Sequence, residues 1–305
     1  MTGRGDSPPP TAALAAKILA AAVPADDTLA RDYLAGRGTW HPAGIGPDLP
    51  PTVRWLPADV AEQIRHHDGD WERRVQLPYF AAGAVVYELA RPDEPPDAVD
   101  LEAVSADGKR MDRVLIPHPP PPPGKPPPPP QPPQYRDRWR QTYGSKREHV
   151  FEVPAATGDP WPDPCAAPMV VAVVEGPTDA LALGRLRLPG VLIRAGAGTS
   201  GMTLATVRNL PPTTVACLVS DGQRSGRGAV AKLHAKLRAV GRRCYTALLV
   251  GGDPDELLRG ADDEDLAARH SERAGILEYD GGLDRNAARA RALARLLETL
   301  NRRPT

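Results

Sequence analysis

The 305-residue sequence predicts an α/β protein whose parallel sheet is flanked by helices and is preceded by an α+β region. From Met169 onward, short apolar runs rich in valine alternate with segments of helical period, which indicates parallel strands joined by crossover helices. Before that point, apolar runs at 80–90, 97–104 and 113–116 follow one another with only short turns between them. This second pattern predicts an antiparallel meander.

The first half of the chain is predicted to comprise a disordered tail at 1–10 and an α+β region at 11–160. Segments 11–23 and 27–36 have the apolar period of two short helices, and the second ends in glycine. The region is interrupted at 118–133 by a run of prolines, which favours a polyproline II conformation. A stiff inserted loop is the favoured interpretation, and a ligand for an SH3-type domain is the alternative.

The second half is predicted to comprise an α/β domain at 168–260 and a helical segment at 261–305. The sequence predicts strands at 169–174, 191–194, 214–219 and 244–250, helices near 177–186, 202–209 and 227–240, and a last helix at 284–302.

Composition limits the classes of function. The chain carries 38 Lys and Arg against 38 Asp and Glu, so a polyanionic partner has to be attracted by local basic patches. Its three cysteines are scattered and form no CxxC pair, which argues against a zinc ribbon and is typical of reduced thiols. No apolar window is long enough to cross a membrane, so we expect a cytoplasmic protein.

Acidic residues follow several of the predicted strands. Glu175 comes directly after the apolar run 170–174, Asp221 follows the run 214–219, and Asp253 and Asp255 follow the run 244–250. Asp179 lies one helical turn beyond Glu175 and is expected to approach the same cleft. Because sites in open α/β sheets form beyond the carboxyl ends of the strands, these carboxylates are candidates to hold Mg²⁺ or Mn²⁺ for phosphate chemistry.

These acidic segments resemble the successive motifs of the Toprim domain, in the form carried by bacterial-type, DnaG-like DNA primases and by replication proteins of phages and plasmids. The segments are Glu175-Gly176-Pro-Thr-Asp179, Asp221-Gly222-Gln223 and Asp253-Pro254-Asp255. In the first half, Tyr33-Leu-Ala-Gly-Arg37-Gly38 is similar to a helix at the start of the primase catalytic core.

The resemblance implies a metal-dependent nucleotidyltransferase that makes RNA primers from NTPs on single-stranded DNA. Glu175 would act as a general base or a water-mediated metal ligand, and Asp221, Asp253 and Asp255 would be metal ligands. One departure matters: Gln223 stands where the family has a second aspartate. A neutral amide oxygen binds a metal ion less strongly than a carboxylate, so metal affinity at that position should fall.

Basic residues near the predicted site are candidates for contacts with the triphosphate or the template backbone. The candidates lie in the segment before the α/β domain and in the glycine-rich turn after Asp221; they are Arg138, Arg140, Lys146, Arg147 and Arg224. For each, a solvated surface charge is the alternative interpretation.

Two other functions remain open. A Toprim nuclease would use similar acids with water as the nucleophile, and a DNA-binding replication accessory would retain a weakened metal site. The chain also lacks the cysteine ligands of the zinc module with which bacterial primases read the template. The resemblance therefore implies a partner for this role, either a separate zinc-binding subunit or a replicative helicase.

Overall fold

The computed structural model describes most of the chain in a mixed α/β fold. The described residues are 12–26, 28–42, 46–67, 81–108, 113–116, 134–137, 139–141, 148–154, 169–196, 202–220, 223–249 and 252–301. The predicted tail at 1–10 and the proline run at 118–133 lie outside these residues.

Two short helices open the described chain, as the sequence predicts: α1 (Ala12–Ala21) and α2 (Leu29–Gly36). Thr28 caps the start of α2: its side chain accepts a hydrogen bond from the backbone N–H of Ala30 and so satisfies one of the free amide groups of the first turn. Two residues after α2, Gly38 adopts a positive φ of 73°, which a residue without a Cβ accommodates readily.

The first sheet is antiparallel throughout, with the strand order β1-β2-β3-β4-β7. Its strands are β1 (Val23–Pro24), β2 (Val53–Pro57), β3 (Ala81–Leu89), β4 (Ala98–Ser105) and β7 (Trp139–Gln141), and helix α3 (Ala58–His67) follows β2. The predicted meander is confirmed for β3 and β4. It is wrong for its third strand, because β5 (Arg113–Ile116) pairs instead with β6 (Gln134–Asp137) in a separate ribbon, and β7 occupies the outer edge of β4.

The second sheet confirms the predicted parallel arrangement. Its order is β12-β11-β9-β10-β8. The strands are β8 (Val150–Val153), β9 (Val170–Val174), β10 (Val191–Gly196), β11 (Val215–Ser220) and β12 (Cys244–Leu248). Strands β9 to β12 are mutually parallel where they pair, and β8 lies antiparallel to β10 at one edge.

The helices of this half are α4 (Pro177–Gly184), α5 (Arg224–Ala239), α6 (Pro254–Leu258), α7 (Asp263–Tyr279) and α8 (Arg285–Asn301). Helix α5 covers one face of the sheet, α4 and α8 cover the other, and α7 packs on α8. The helix predicted at 202–209 is instead a single 3-10 turn at Leu204–Val207. Pro211 and Pro212 follow within a few residues, and the residue before a proline is disfavoured in the α conformation, so the turn does not extend.

The apolar cores place the first half of the chain against one face of the parallel sheet. One cluster joins Tyr33 of α2 and Tyr87 of β3 to the buried side chains of β9, α4 and α8. A separate cluster, on the other face, packs Val230, Leu233 and Leu237 of α5 against β9 and β11. No described helix is long and apolar enough to span a bilayer.

Candidate functional site

The candidate site lies at the carboxyl edge of the parallel sheet, where β9 ends. All five residues of β9 are buried, and Glu175 follows directly with partial exposure. The backbone of Gly176 is extended and begins α4, with Pro177 at the first helical position, where the missing N–H of proline costs nothing. Glu175 therefore lies at the carboxyl edge of the sheet, as the sequence predicts.

Asp179 lies in the first turn of α4, and only 7% of its surface is exposed. Its Oδ2 accepts a hydrogen bond of 3.2 Å from the backbone N–H of Gly176, which fixes the carboxylate toward the start of the helix. Burial raises the pKa of Asp179 well above its usual range, and the charges of Asp255 and Asp253 raise it further. The charge of Glu175 adds a smaller effect of the same sign.

Asp253 and Asp255 lie at the start of the short helix α6. Strand β12 ends at Leu248, five residues before Asp253, so both aspartates lie beyond its carboxyl end. Asp253 is the residue that caps α6, and Pro254 follows at the first helical position, which favours the start of a helix there. Asp255 lies in the first turn and is only 2% exposed.

Three of these carboxylates converge. Asp179, Asp253 and Asp255 each offer an oxygen atom that lies within 4.8 Å of those of the other two, and the described residues contain no other such group of three His, Cys, Asp or Glu. Oxygen ligands of this kind suit a hard divalent cation such as Mg²⁺. A cation would also relieve the mutual repulsion that raises the pKa of Asp179, so the residues present fit a divalent metal ion.

Asp221 and Gly222 lie outside the described residues. The strand that precedes them is described, and it runs parallel to β9 with Leu218 opposite Val173. Continuing this register by two residues brings Ser220 level with Glu175. The predicted metal-binding role of Asp221 stays a prediction.

The remaining predicted positions are partly described. Gln223 is exposed and caps α5 without a hydrogen bond from its side chain to the helix. Arg138, Lys146 and Arg147 lie outside the described residues. Arg140 lies on β7, Arg224 is the first residue of α5, and for both the structure describes the backbone alone.

A buried arginine beside the acidic cluster was not assigned a role from sequence. Arg37, which follows α2, donates from Nη2 to Oδ2 of Asp255 at 2.7 Å and from Nη1 to Oε1 of Glu102 on β4 at 2.7 Å. Burial is the largest single effect and would lower the pKa of Arg37, but the electrostatic effects of the surrounding groups, led by Glu102, together raise the pKa above its ordinary value. One side chain thus links the first sheet to the helix that carries two of the clustered aspartates.

Two tyrosines complete this network. The hydroxyl groups of Tyr33 and Tyr87 donate to the two oxygens of Glu102 at 2.8 and 3.0 Å. Burial raises the pKa of both phenols, and the charge of Glu102 raises it further, so both stay protonated donors. The motif that contains Tyr33 and Arg37 is visible in the sequence, but Glu102 and Tyr87 carry no local signal that marks them as partners.

A second arginine also links the turn after α2 to α6. Arg185, which follows α4, donates to the backbone carbonyl groups of Gly38 and Leu258, each at 2.5 Å, and from Nε to Asp263 at 2.9 Å. Arg259 in turn donates to the carbonyl oxygen of Arg37 at 2.8 Å. These bonds hold the turn after α2 against α6, so the positions of Asp253 and Asp255 depend on contacts with the first half of the chain.

Comparisons with known proteins give distant structural likenesses. No protein-family model matches the chain, and no curated protein matches it. A solved DnaG catalytic core shares 18% identity at a TM-score of 0.48, over 90% of this chain and 86% of that one. The RNA polymerase domain of Mycobacterium tuberculosis primase DnaG, in complex with double-stranded DNA, shares 17% identity at a TM-score of 0.46, over 97% and 92% of the two chains. The E. coli primase catalytic core shares 16% at a TM-score of 0.44, over 89% and 84%. Such distant likenesses assign no role to any residue here.

Proposed function

We propose that this protein is a Toprim-type, primase-like nucleotidyltransferase that makes RNA primers on single-stranded DNA and depends on Mg²⁺ or Mn²⁺. The main support is the convergence of Asp179, Asp253 and Asp255, with oxygens within 4.8 Å of one another, at the sheet edge where Glu175 follows β9. The three motif segments quoted above supply these acids together with Asp221.

Each residue of the site has a distinct task in this proposal. Asp253 and Asp255 would hold the metal, which when bound lowers the pKa of the attacking 3′-hydroxyl and neutralises charge on the phosphate. Glu175 would accept the proton of that hydroxyl directly or through a water molecule. Asp179, whose Oδ2 is held by the backbone of Gly176, supplies negative charge and fixes the start of α4. Arg37 uses Oδ2 of Asp255 and so leaves Oδ1 of that residue as a ligand atom.

Primer synthesis from labelled NTPs on single-stranded DNA, with Mg²⁺ or Mn²⁺, tests this proposal. Glu175→Gln keeps the shape of the side chain and removes its charge, and loss of a general base should lower the rate about 10²–10⁴-fold. Glu256→Gln is the matched control, because Glu256 is exposed on α6 and lies outside the cluster. Equal rates for the two variants, or no product from the parent protein, would contradict the proposal.

Gln223 favours a second candidate, a DNA-binding replication accessory whose metal site is weakened. Its side chain is exposed at the start of α5, beside the edge where the acids meet, and an amide there contributes no charge. Gln223→Asp separates the two functions. An increase in primer synthesis is expected for a polymerase, whereas unchanged DNA binding with no synthesis in either form identifies the accessory.

A further inference from the structure

The exposed surface of α5 carries a concentration of positive charge that the proposed chemistry does not use. Residues 222–252 contain seven Lys and Arg and no Asp or Glu, although the whole chain has 38 of each sign. Two of the seven are engaged elsewhere. Arg242 donates to the carbonyl groups of Leu210 and Pro211, and Arg243 pairs with Asp284.

The other five stand on α5 itself, and for one of them, Arg224, the structure describes the backbone alone. Arg227, Lys232, Lys236 and Arg238 are exposed, and within the described part of the chain none of them forms an ion pair. Nothing in the folding of the domain therefore requires their charge. Four cations on a 16-residue helix repel one another, and this repulsion destabilises the helix. Binding of an anionic partner would remove the repulsion.

The cations form two rows. Val230, Leu233 and Leu237 bury one side of α5 in the core, which turns the opposite side to solvent. At about 100° per residue, Arg227 and Arg238 fall on one flank of the exposed side, and Lys232 and Lys236 fall on the other. The strip between the rows holds only the small residues Gly228, Ala231, Ala235 and Ala239. A backbone of phosphates can approach the helix between two such rows without steric obstruction.

The position of α5 links these rows to the acidic cluster. The helix begins four residues after β11 ends, at the same carboxyl edge of the sheet as Glu175. From Arg227 to Arg238 the helix rises about 16 Å, which spans about five base steps at 3.4 Å each. It lies on the face of the sheet opposite to the core shared with the first half of the chain.

We propose that this surface, the exposed face of α5 between Arg227 and Arg238, binds the sugar–phosphate backbone of the nucleic acid as it leaves the acidic site. This rests on the proposed function for the presence of nucleic acid at that edge. A protein partner is disfavoured because interfaces between proteins depend on large apolar or aromatic anchors, and the described strip within α5 offers only glycine and alanine.

The test compares two variants of the full chain that lose the same charge. In the first, the four α5 cations are changed to glutamine: Arg227→Gln, Lys232→Gln, Lys236→Gln and Arg238→Gln. In the control, four exposed arginines of α7 and α8 are changed: Arg269→Gln, Arg273→Gln, Arg285→Gln and Arg295→Gln. Binding to labelled single-stranded DNA and to an RNA–DNA duplex is measured by fluorescence anisotropy between 50 and 200 mM salt.

Each phosphate contact contributes about 0.7 to the slope of log affinity against log salt on single strands, so the α5 variant should lose up to about 3 from that slope. Its affinity at 100 mM salt should fall at least about tenfold, and the control should keep the parent slope. Equal losses in both variants, or no loss in either, would overturn the inference. Because binding is measured without synthesis, a protein that binds through α5 but makes no primer refutes only the proposed function.

Discussion

Arg37→Met is the substitution whose effect on stability the structure defines most clearly. The side chain of Arg37 is 6% exposed, and its guanidinium bridges the fully buried carboxylate of Glu102 and the buried carboxylate of Asp255. Methionine fills a similar volume but leaves two buried carboxylates without their cation. Removing one partner of a buried ion pair typically costs about 3–5 kcal/mol, because the remaining charge is left uncompensated. With two acids affected, we expect a loss in the upper part of that range.

Urea unfolding followed by circular dichroism measures the free energy of unfolding of the parent and of Arg37→Met. Arg269→Met is the matched control, since Arg269 and Asp265 form an exposed pair one turn apart on α7, and such pairs contribute about 0.3–0.5 kcal/mol. Adding Glu102→Gln to Arg37→Met should restore part of the loss, because it removes one of the two uncompensated charges. A loss below about 1 kcal/mol in Arg37→Met would refute the view that this network joins the two halves of the chain.

Two further predictions concern other positions. His270 is buried, its Nε2 lies 3.1 Å from the carbonyl oxygen of Arg289, and burial lowers its pKa from 6.5 to about 4. Between these two pH values the unfolded chain binds a proton at this histidine and the folded chain does not. The free energy of unfolding should therefore be at its full value above pH 6.5 and fall by about 3 kcal/mol as the pH drops toward 4, at about 1.36 kcal/mol per pH unit. Urea unfolding at several pH values measures this, and the same slope in His270→Leu would contradict it. Gly38→Ala should lower the free energy of unfolding by about 1–3 kcal/mol, because φ is 73° and a new Cβ would lie 2.8 Å from Cγ of Arg259. Gly228→Ala is its control, because Gly228 is exposed and a Cβ there would meet nothing within 4 Å. Equal stability of the two variants would refute the reasoning.

The alternation of elements in the second half of the chain can be predicted from sequence because its strands are buried on both faces. Strand β9 consists only of valine and alanine, and its continuous apolar run ends sharply at Glu175 and Gly176. Strand partners are harder to predict. The apolar run at 150–153 resembles those before it, yet it pairs with β10 in the second sheet, since register and partner depend on distant parts of the chain.

The acidic cluster was predictable in composition and only partly in geometry. Short motifs single out these acids, because Glu175 lies close in sequence to Asp179, and Asp253 lies close in sequence to Asp255. The link from Arg37 to Asp255 spans 218 residues, and that from Arg37 to Glu102 spans 65. No local period or spacing encodes such contacts. They arise only when the turn after α2 packs against α6.

Binding of Mn²⁺ to the protein, measured by titration calorimetry without NTPs or DNA, tests whether the clustered carboxylates hold a metal ion. The parent should bind Mn²⁺, and Asp253→Asn should weaken binding by more than the ~10-fold lost when even an outer partner of a metal ligand is removed. Glu256→Asn, which alters an exposed acid on the same helix, should bind like the parent. No binding by the parent, or equal binding by all three proteins, would contradict the assignment of these carboxylates to a metal site.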